Sequence, residues 1–129
     1  AKLLSDPTCT QPEQEEFIHL IQESAGSLLT LLGDLLDVSR IESGQMRVNI
    51  KPFNILNEIN DVFKILNIEH KKVDVDFTLN ASASLNNRII NSDKDRFRQI
   101  IINITYNAFK FTENGHVAIN AEITNSKNL

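Results

Sequence analysis

Three polar residues stand at helical spacing inside a mostly apolar stretch, "IINITYNAFKFTENG" (residues 101–115). Asn103, Asn107 and Lys110 are four and three positions apart, which places two amides and one ammonium on a single helix face. Around the same wheel Phe97, Ile100, Ile101, Ile104, Ala108 and Phe111 read as core. Ile102, Thr105 and Phe109 extend the apolar surface further round. A polar stripe on a helix that is otherwise to be buried needs partners. Backbone groups nearby would satisfy it without any function; a ligand would satisfy it with one.

A helix over 96–111 has to carry this face. Ser92 and Asp95 give it a capping-box-like start, and "ENG" (residues 113–115) is a turn after it. Val117, Ile119, Ala121 and Ile123 then alternate as a strand. Upstream, "KKVDVDFTLN" (residues 71–80) sets Val73, Val75, Phe77 and Leu79 against Asp74, Asp76, Thr78 and Asn80. Such alternation predicts a half-buried strand. "RII" (residues 88–90) is a short strand, and "QMRVNIKPF" (residues 45–53) is another, alternating Met46, Val48 and Ile50 and ending at Pro52. Asn54 is an N-cap for a helix bearing Ile55, Leu56, Ile59, Phe63 and Leu66. The order strand, helix, strand, short strand, helix, strand predicts an α+β layer with helices on one sheet face.

The first third of the chain has another style. "SDPTCTQPEQ" (residues 5–14) is turn-rich, with Pro7 and Pro12 as breakers, and Ala1 to Leu4 reads as the last turn of an earlier helix. A long helix is predicted from about residue 13 to 42. Phe17, Ile21, Ser24, Leu28, Leu31, Leu35 and Val38 recur in steps of four and three, a heptad seam. A second stripe runs through Leu20, Leu29, Leu32 and Leu36. Two adjacent stripes require two neighbours, so the pattern predicts a bundle, completed by other sequence or by a second copy. Ser43-Gly44 stops the helix.

Thirteen basic against seventeen acidic residues, a net charge of −4, and the lack of any basic stripe argue against a nucleic-acid surface. A single cysteine, Cys9, excludes an internal disulfide framework and fits a reducing compartment. No apolar run approaches a membrane span and no signal peptide opens the chain. Beginning at Ala1, the sequence reads as a piece of something longer.

Two segments resemble a known family. "DLLDVSRIESGQM" (residues 34–46) resembles the end of the second dimerisation helix of sensor histidine kinases, with the linker to their ATP-binding domain. "DKDRFRQIIINITYNAFKFTENGHV" (residues 93–117) resembles the N box of that domain, a fold shared with gyrase-type, chaperone and mismatch-repair ATPases. The linker motif points to the kinases. The resemblance implies an all-α helical-hairpin, four-helix-bundle segment followed by an incomplete α+β two-layer sandwich. Residues 1–44 would be part of the dimerisation and histidine-phosphotransfer domain, and residues 45–129 the N-terminal part of the ATP-binding domain.

The resemblance also implies roles. The polar stripe would face Mg-ATP. Asn107 would be the magnesium ligand, since an amide oxygen suits a hard cation that also binds triphosphate oxygens and water. Lys110 would approach the phosphates as a compact charge. Asn103, one turn earlier, would help position the reacting groups, in a transfer that is mostly positioning and electrostatics. Arg96 lies on the same side and is a further phosphate candidate, with a salt bridge to Asp93 as the plainer alternative. The glycine pattern that follows the N box in this family, Asp-x-Gly-x-Gly, is not formed by Gly26, Gly33, Gly44 or Gly115. The phosphoacceptor histidine, expected in a His-Glu-Leu-Arg-like context on the first dimerisation helix, is not in the chain either.

His19, in "EEFIHLIQ", has the wrong context and the wrong helix for a phosphoacceptor and reads as a partly exposed bundle residue. His70 and His116 read as structural, and no His, Cys or Asp spacing suggests zinc. Two function classes follow. In the first, the chain is the cytoplasmic part of a kinase, in a parent that can be membrane-anchored. The intact protein dimerises through the long helix, uses Mg-ATP to phosphorylate a histidine, and passes the phosphoryl group to an aspartate on a response regulator receiver domain; the 129 residues alone would be inactive. In the second, the chain is a non-catalytic dimerisation or scaffold module that keeps the fold and has lost the chemistry.

Overall fold

The computed structural model describes residues 10–70 and 72–124, which form two compact units, Ala1–Arg47 and Val48–Leu129. Ala1 to Leu4, Pro7 and Cys9 lie outside the described residues.

Among the described residues the first unit holds one helix, α1 (Gln11–Glu42). Its start is fixed by Glu13, whose Oε2 accepts from the Thr10 N–H at 2.8 Å and from the Thr10 hydroxyl at 2.7 Å. Those bonds hold the Glu13 carboxyl below its ordinary value. Pro12 is therefore no breaker. It sits in the first turn, where its missing N–H would have had no acceptor anyway. At the other end Ser43 donates its N–H to Ser39 O at 3.0 Å, and Gly44 follows at φ +69°, the left-handed conformation a helix stop needs. No residue of α1 is buried: Leu28, Leu31 and Leu35 are each about two-thirds exposed.

The second unit runs β1 (Lys51–Asn54), α2 (Ile55–Glu69), β2 (Val75–Ala81), a 3₁₀ turn (Ala83–Leu85), β3 (Ile89–Ser92), α3 (Lys94–Phe111) and β4 (Gly115–Ala121). This is the expected element order, with two small two-stranded sheets. β1 pairs antiparallel with β3, Lys51 opposite Ser92 and Asn54 opposite Ile89. β2 pairs parallel with β4, Val75 opposite Gly115 and Ala81 opposite Ala121. α2 packs on α3 and on β2, and α3 on β4. The α2 core face is Ile59, Val62 and Leu66, at steps of three and four. Val75, Phe109 and Val117 form a second buried cluster with Phe77 and Ala108 against it. Aromatic rings join the layers: Phe63 and Phe77 have centroids 4.7 Å apart, and Phe77 meets Phe109 edge-on at 5.0 Å. Asn54 caps α2 as expected, accepting from the Asn57 N–H at 3.0 Å.

Three expectations need correction. The strand over 45–53 shortens to Lys51–Asn54, because its only partner, β3, has four residues. Val48 and Ile50 stay exposed, and the Asn49 N–H goes to Asp93 Oδ2 at 2.9 Å. Val73 falls in the turn before β2 and is almost fully exposed. The N-cap of α3 is Asp93, whose Oδ1 accepts from the Arg96 N–H at 3.1 Å; Ser92 is still in the β3 ladder.

Candidate functional site

α3 carries Asn103, Asn107 and Lys110, and the structure turns them outward. All three are exposed. The buried face of α3 is Thr105 and Phe109, flanked by the half-buried Ile101, Ile102 and Ala108. Ile100, Ile104 and Phe111, read as core from the sequence, are 58%, 65% and 78% exposed. The cause is the rotation of the helix. Its contacts with α2 and β4 select the strip through Thr105 and Phe109, and the opposite strip meets solvent. So the polar stripe is not a buried set satisfied by backbone. Neither amide is engaged by another described residue, and the Lys110 ammonium lies 5.6 Å from the Phe111 ring centroid. Successive members are separated by roughly one helical turn, about 6 and 4.5 Å along the axis. The result is a short row of amide, amide and ammonium with Ile100, Ile104 and Phe111 beside it.

Arg96 is half-buried and stands in the first turn of α3. Its Nη1 donates to Gln99 Oε1 at 2.8 Å, and its charge helps hold Asp93 in the ionised form. Asp93 is kept below the usual carboxylate range chiefly by the backbone N–H of Asn49, then by that of Arg96. Arg96 thus serves the start of the helix, about four turns away from Lys110.

Four contacts that the sequence did not reveal hold α3 in this rotation. Arg98 Nε donates to Glu58 Oε1 at 2.5 Å, joining the first turns of α3 and α2, and the Glu58 side chain is only 6% exposed. The Tyr106 hydroxyl donates to Glu69 at the end of α2. The Tyr106 phenol is pushed up to about 12, by burial first and by that bond second. His70 stacks on the Phe109 ring, centroids 4.3 Å apart, with its Nε2 2.6 Å from Val75 O. Lys72 Nζ donates to Phe109 O at 2.5 Å and Thr112 O at 2.8 Å. One signal was available: Glu58 interrupts the apolar face Ile55, Ile59, Val62, and Arg98 does the same among apolar neighbours. Two opposite charges on two apolar faces ask to be paired.

An apolar cleft of about 230 Å³ opens between α3 and β4, lined by Ile101, Ile104, Thr105, Ala108, Val117 and Ile119 among others. None of the three polar residues of the row lines it. His19 is exposed, 3.6 Å from Glu23 one turn on, and His116 is exposed in β4. Among the described residues no group of three or more His, Cys, Asp or Glu could hold a metal by itself. Among them, too, no helix is long and apolar enough to cross a membrane.

Residues 1–44 match the His Kinase A (phospho-acceptor) domain. The chain is 36% identical over 114 residues to "Hybrid signal transduction histidine kinase A" of Dictyostelium discoideum, covering 88% of this chain and 5% of that protein. It is 33% identical over 111 residues to "Signal transduction histidine-protein kinase BarA" of Escherichia coli (strain K12), covering 86% of this chain and 12% of that one. The chain therefore spans a small part of the curated relatives it matches. Among solved structures, full-length ShkA in complex with AMPPNP superposes with a TM-score of 0.71 at 26% identity, over 95% of this chain and 26% of that one.

Proposed function

Because the chain belongs with the sensor histidine kinases over most of its length, we propose that it is the central part of a kinase core that works with Mg-ATP. Residues 1–44 belong to the dimerisation and phosphotransfer domain, and residues 45–129 are the N-terminal part of the ATP-binding α+β sandwich. The intact protein phosphorylates a histidine, outside these 129 residues, and relays the phosphoryl group to a receiver-domain aspartate. α1 contributes to a four-helix bundle between two copies, which covers Leu28, Leu31 and Leu35.

The observation that carries the reading is the exposed row Asn103, Asn107 and Lys110. Its donor set fits magnesium triphosphate. Asn107 Oδ1 offers one hard oxygen, suited to a cation that takes its remaining ligands from phosphates and water. Lys110 offers a charge to phosphate oxygens, and Asn103 an amide one turn back that orients a reacting group. Bound magnesium would supply charge neutralisation on the transferred phosphate. The AMPPNP complex of ShkA, whose fold this chain shares, supports the reading. Arg96 remains a phosphate ligand of second rank, since its nearest bonds serve the cap of α3.

The test is autophosphorylation and nucleotide affinity of the full-length kinase, with and without magnesium. Asn107→Ala should abolish autophosphorylation and leave the melting temperature unchanged, since the side chain is exposed. Asn107→Asp should still attract magnesium but weaken nucleotide binding. Lys110→Ala should weaken it in a salt-dependent way. Full activity and unchanged magnesium dependence in Asn107→Ala would make the row structural. A wild-type kinase that binds no nucleotide would leave the scaffold role.

A further inference from the structure

Lys72 has no place on the nucleotide-facing row, yet the structure assigns it a part in the site: it is a positioning residue for Lys110. This rests on the reading of α3 given above. A helix leaves its last four carbonyls without an intrahelical donor. At the end of α3 the Thr112 N–H reaches Phe109 O at a long 3.4 Å. Lys72 supplies what is missing, with its Nζ 2.5 Å from Phe109 O and 2.8 Å from Thr112 O. A cation there also meets the negative end of the helix dipole.

The two acceptors bracket Lys110, one residue before it and two after it. The lysine thus ties down the turn from which the Lys110 side chain departs. It arrives from the segment between α2 and β2, 37 and 40 residues earlier in the chain. Two residues just before it grip the same end of α3, Glu69 at the end of α2 through the Tyr106 hydroxyl and His70 through the Phe109 ring. At about 100° per residue, Phe109 lies about 160° round the helix from Asn107. Phe109 is therefore held from behind Asn107, while Tyr106, four residues before Lys110, is held beside the row; neither contact engages Asn103, Asn107 or Lys110. Without the Lys72 bonds the terminal carbonyls of α3 keep only the long Thr112 bond, and the turn around Lys110 loosens even with the Tyr106 and Phe109 side chains held. Asn107, one turn further in, stays helical.

Nucleotide binding by the full-length kinase tests this, with MgATP as the probe. Lys72→Met keeps the stem and removes the donor. It should weaken MgATP binding by about tenfold, about 1.4 kcal/mol, and speed hydrogen exchange at the Phe111 and Thr112 amides. Lys72→Arg, which keeps charge and donors, should recover most of the affinity. On a Lys110→Ala background, Lys72→Met should have almost no further effect, because it acts through Lys110. A purely structural lysine would instead give additive losses, and that result overturns the role. So does wild-type affinity in Lys72→Met while Lys110→Ala and Asn107→Ala are impaired, an outcome that leaves the α3 reading intact. If those two also bind as wild type, the α3 reading falls and the Lys72 role with it. Should Lys72→Met fail to fold, Lys72→Gln, which removes the charge and leaves a shorter amide with two donors, carries the same comparisons with a smaller expected loss.

Discussion

Replacing Arg98 by methionine should destabilise the Val48–Leu129 unit by about 2–3 kcal/mol. The variant keeps the aliphatic stem and removes the guanidinium, so the Glu58 carboxylate loses its 2.5 Å partner. Glu58 cannot turn to water, because its side chain is only 6% exposed. Breaking a fully buried pair costs about 3–5 kcal/mol, while an exposed pair contributes about 0–1 kcal/mol. The arginine side chain here is 36% exposed, so water partly replaces it and the cost falls between. Glu58→Gln keeps an acceptor for the guanidinium and should cost less, about 1 kcal/mol. The double variant should cost less than the sum, with a coupling of about 1–2 kcal/mol. Urea unfolding measures all three. The chain has one tyrosine and no tryptophan, so tyrosine fluorescence reports Tyr106 on α3 and hence this unit alone. A loss under about 0.5 kcal/mol in Arg98→Met, with no coupling, would mean that the pair does not set the rotation of α3.

The Tyr106 phenol should titrate near 12, read by phenolate absorbance, and Glu69→Gln should lower the midpoint part of the way. Since the folded value lies above the unfolded value near 10, stability should fall as pH climbs between the two; a wild-type midpoint near 10 would count against the burial and bond described. Asp93 is depressed, so its contribution is present above the ordinary carboxylate range and is lost as pH falls through its lower folded value. Asp93→Asn should flatten this acid limb in a circular dichroism titration, and an unchanged acid midpoint would exclude Asp93 as its source. In sedimentation, Leu31→Asp should convert a dimer of the chain to monomer, given that a leucine lost from a packed core costs about 2–5 kcal/mol. A wild-type monomer at high concentration would remove the support for α1 as the dimer helix.

Local chemistry made much of the architecture readable. Asn54, Gly44 and the strict alternation after Val75 each act within a few residues, and the structure uses each as read. Alternation alone was insufficient at Val48 and Ile50, because a strand also needs a partner and β3 is too short to offer one. The site helix shows the same limit. Apolar residues lie on most of its circumference, so the wheel could not say which of them face inward. Ile100, Ile104 and Phe111 were assigned to the core; the contacts with α2 and β4 assigned Thr105 and Phe109 instead. The row Asn103, Asn107 and Lys110 was visible because it needs only spacing. Lys72 was invisible because its acceptors are backbone carbonyls far along the chain, and no side-chain pattern encodes those.

The parallel pairing of β2 with β4 has a consequence for how the unit folds. Every pair in that ladder joins residues 40 apart, from Val75 with Gly115 to Ala81 with Ala121. Closing such a loop costs about 2 kcal/mol more than closing a five-residue hairpin, at about 0.6 kcal/mol per doubling. The ladder cannot recover that before it forms, so the contacts of α3 inside the loop must come first or together with it. The Glu58–Arg98 pair also joins residues 40 apart and bears a similar closure cost, so it is expected to form together with the α2–α3 packing. Changes at that pair should slow folding, whereas changes at the far end of β4 should mainly speed unfolding.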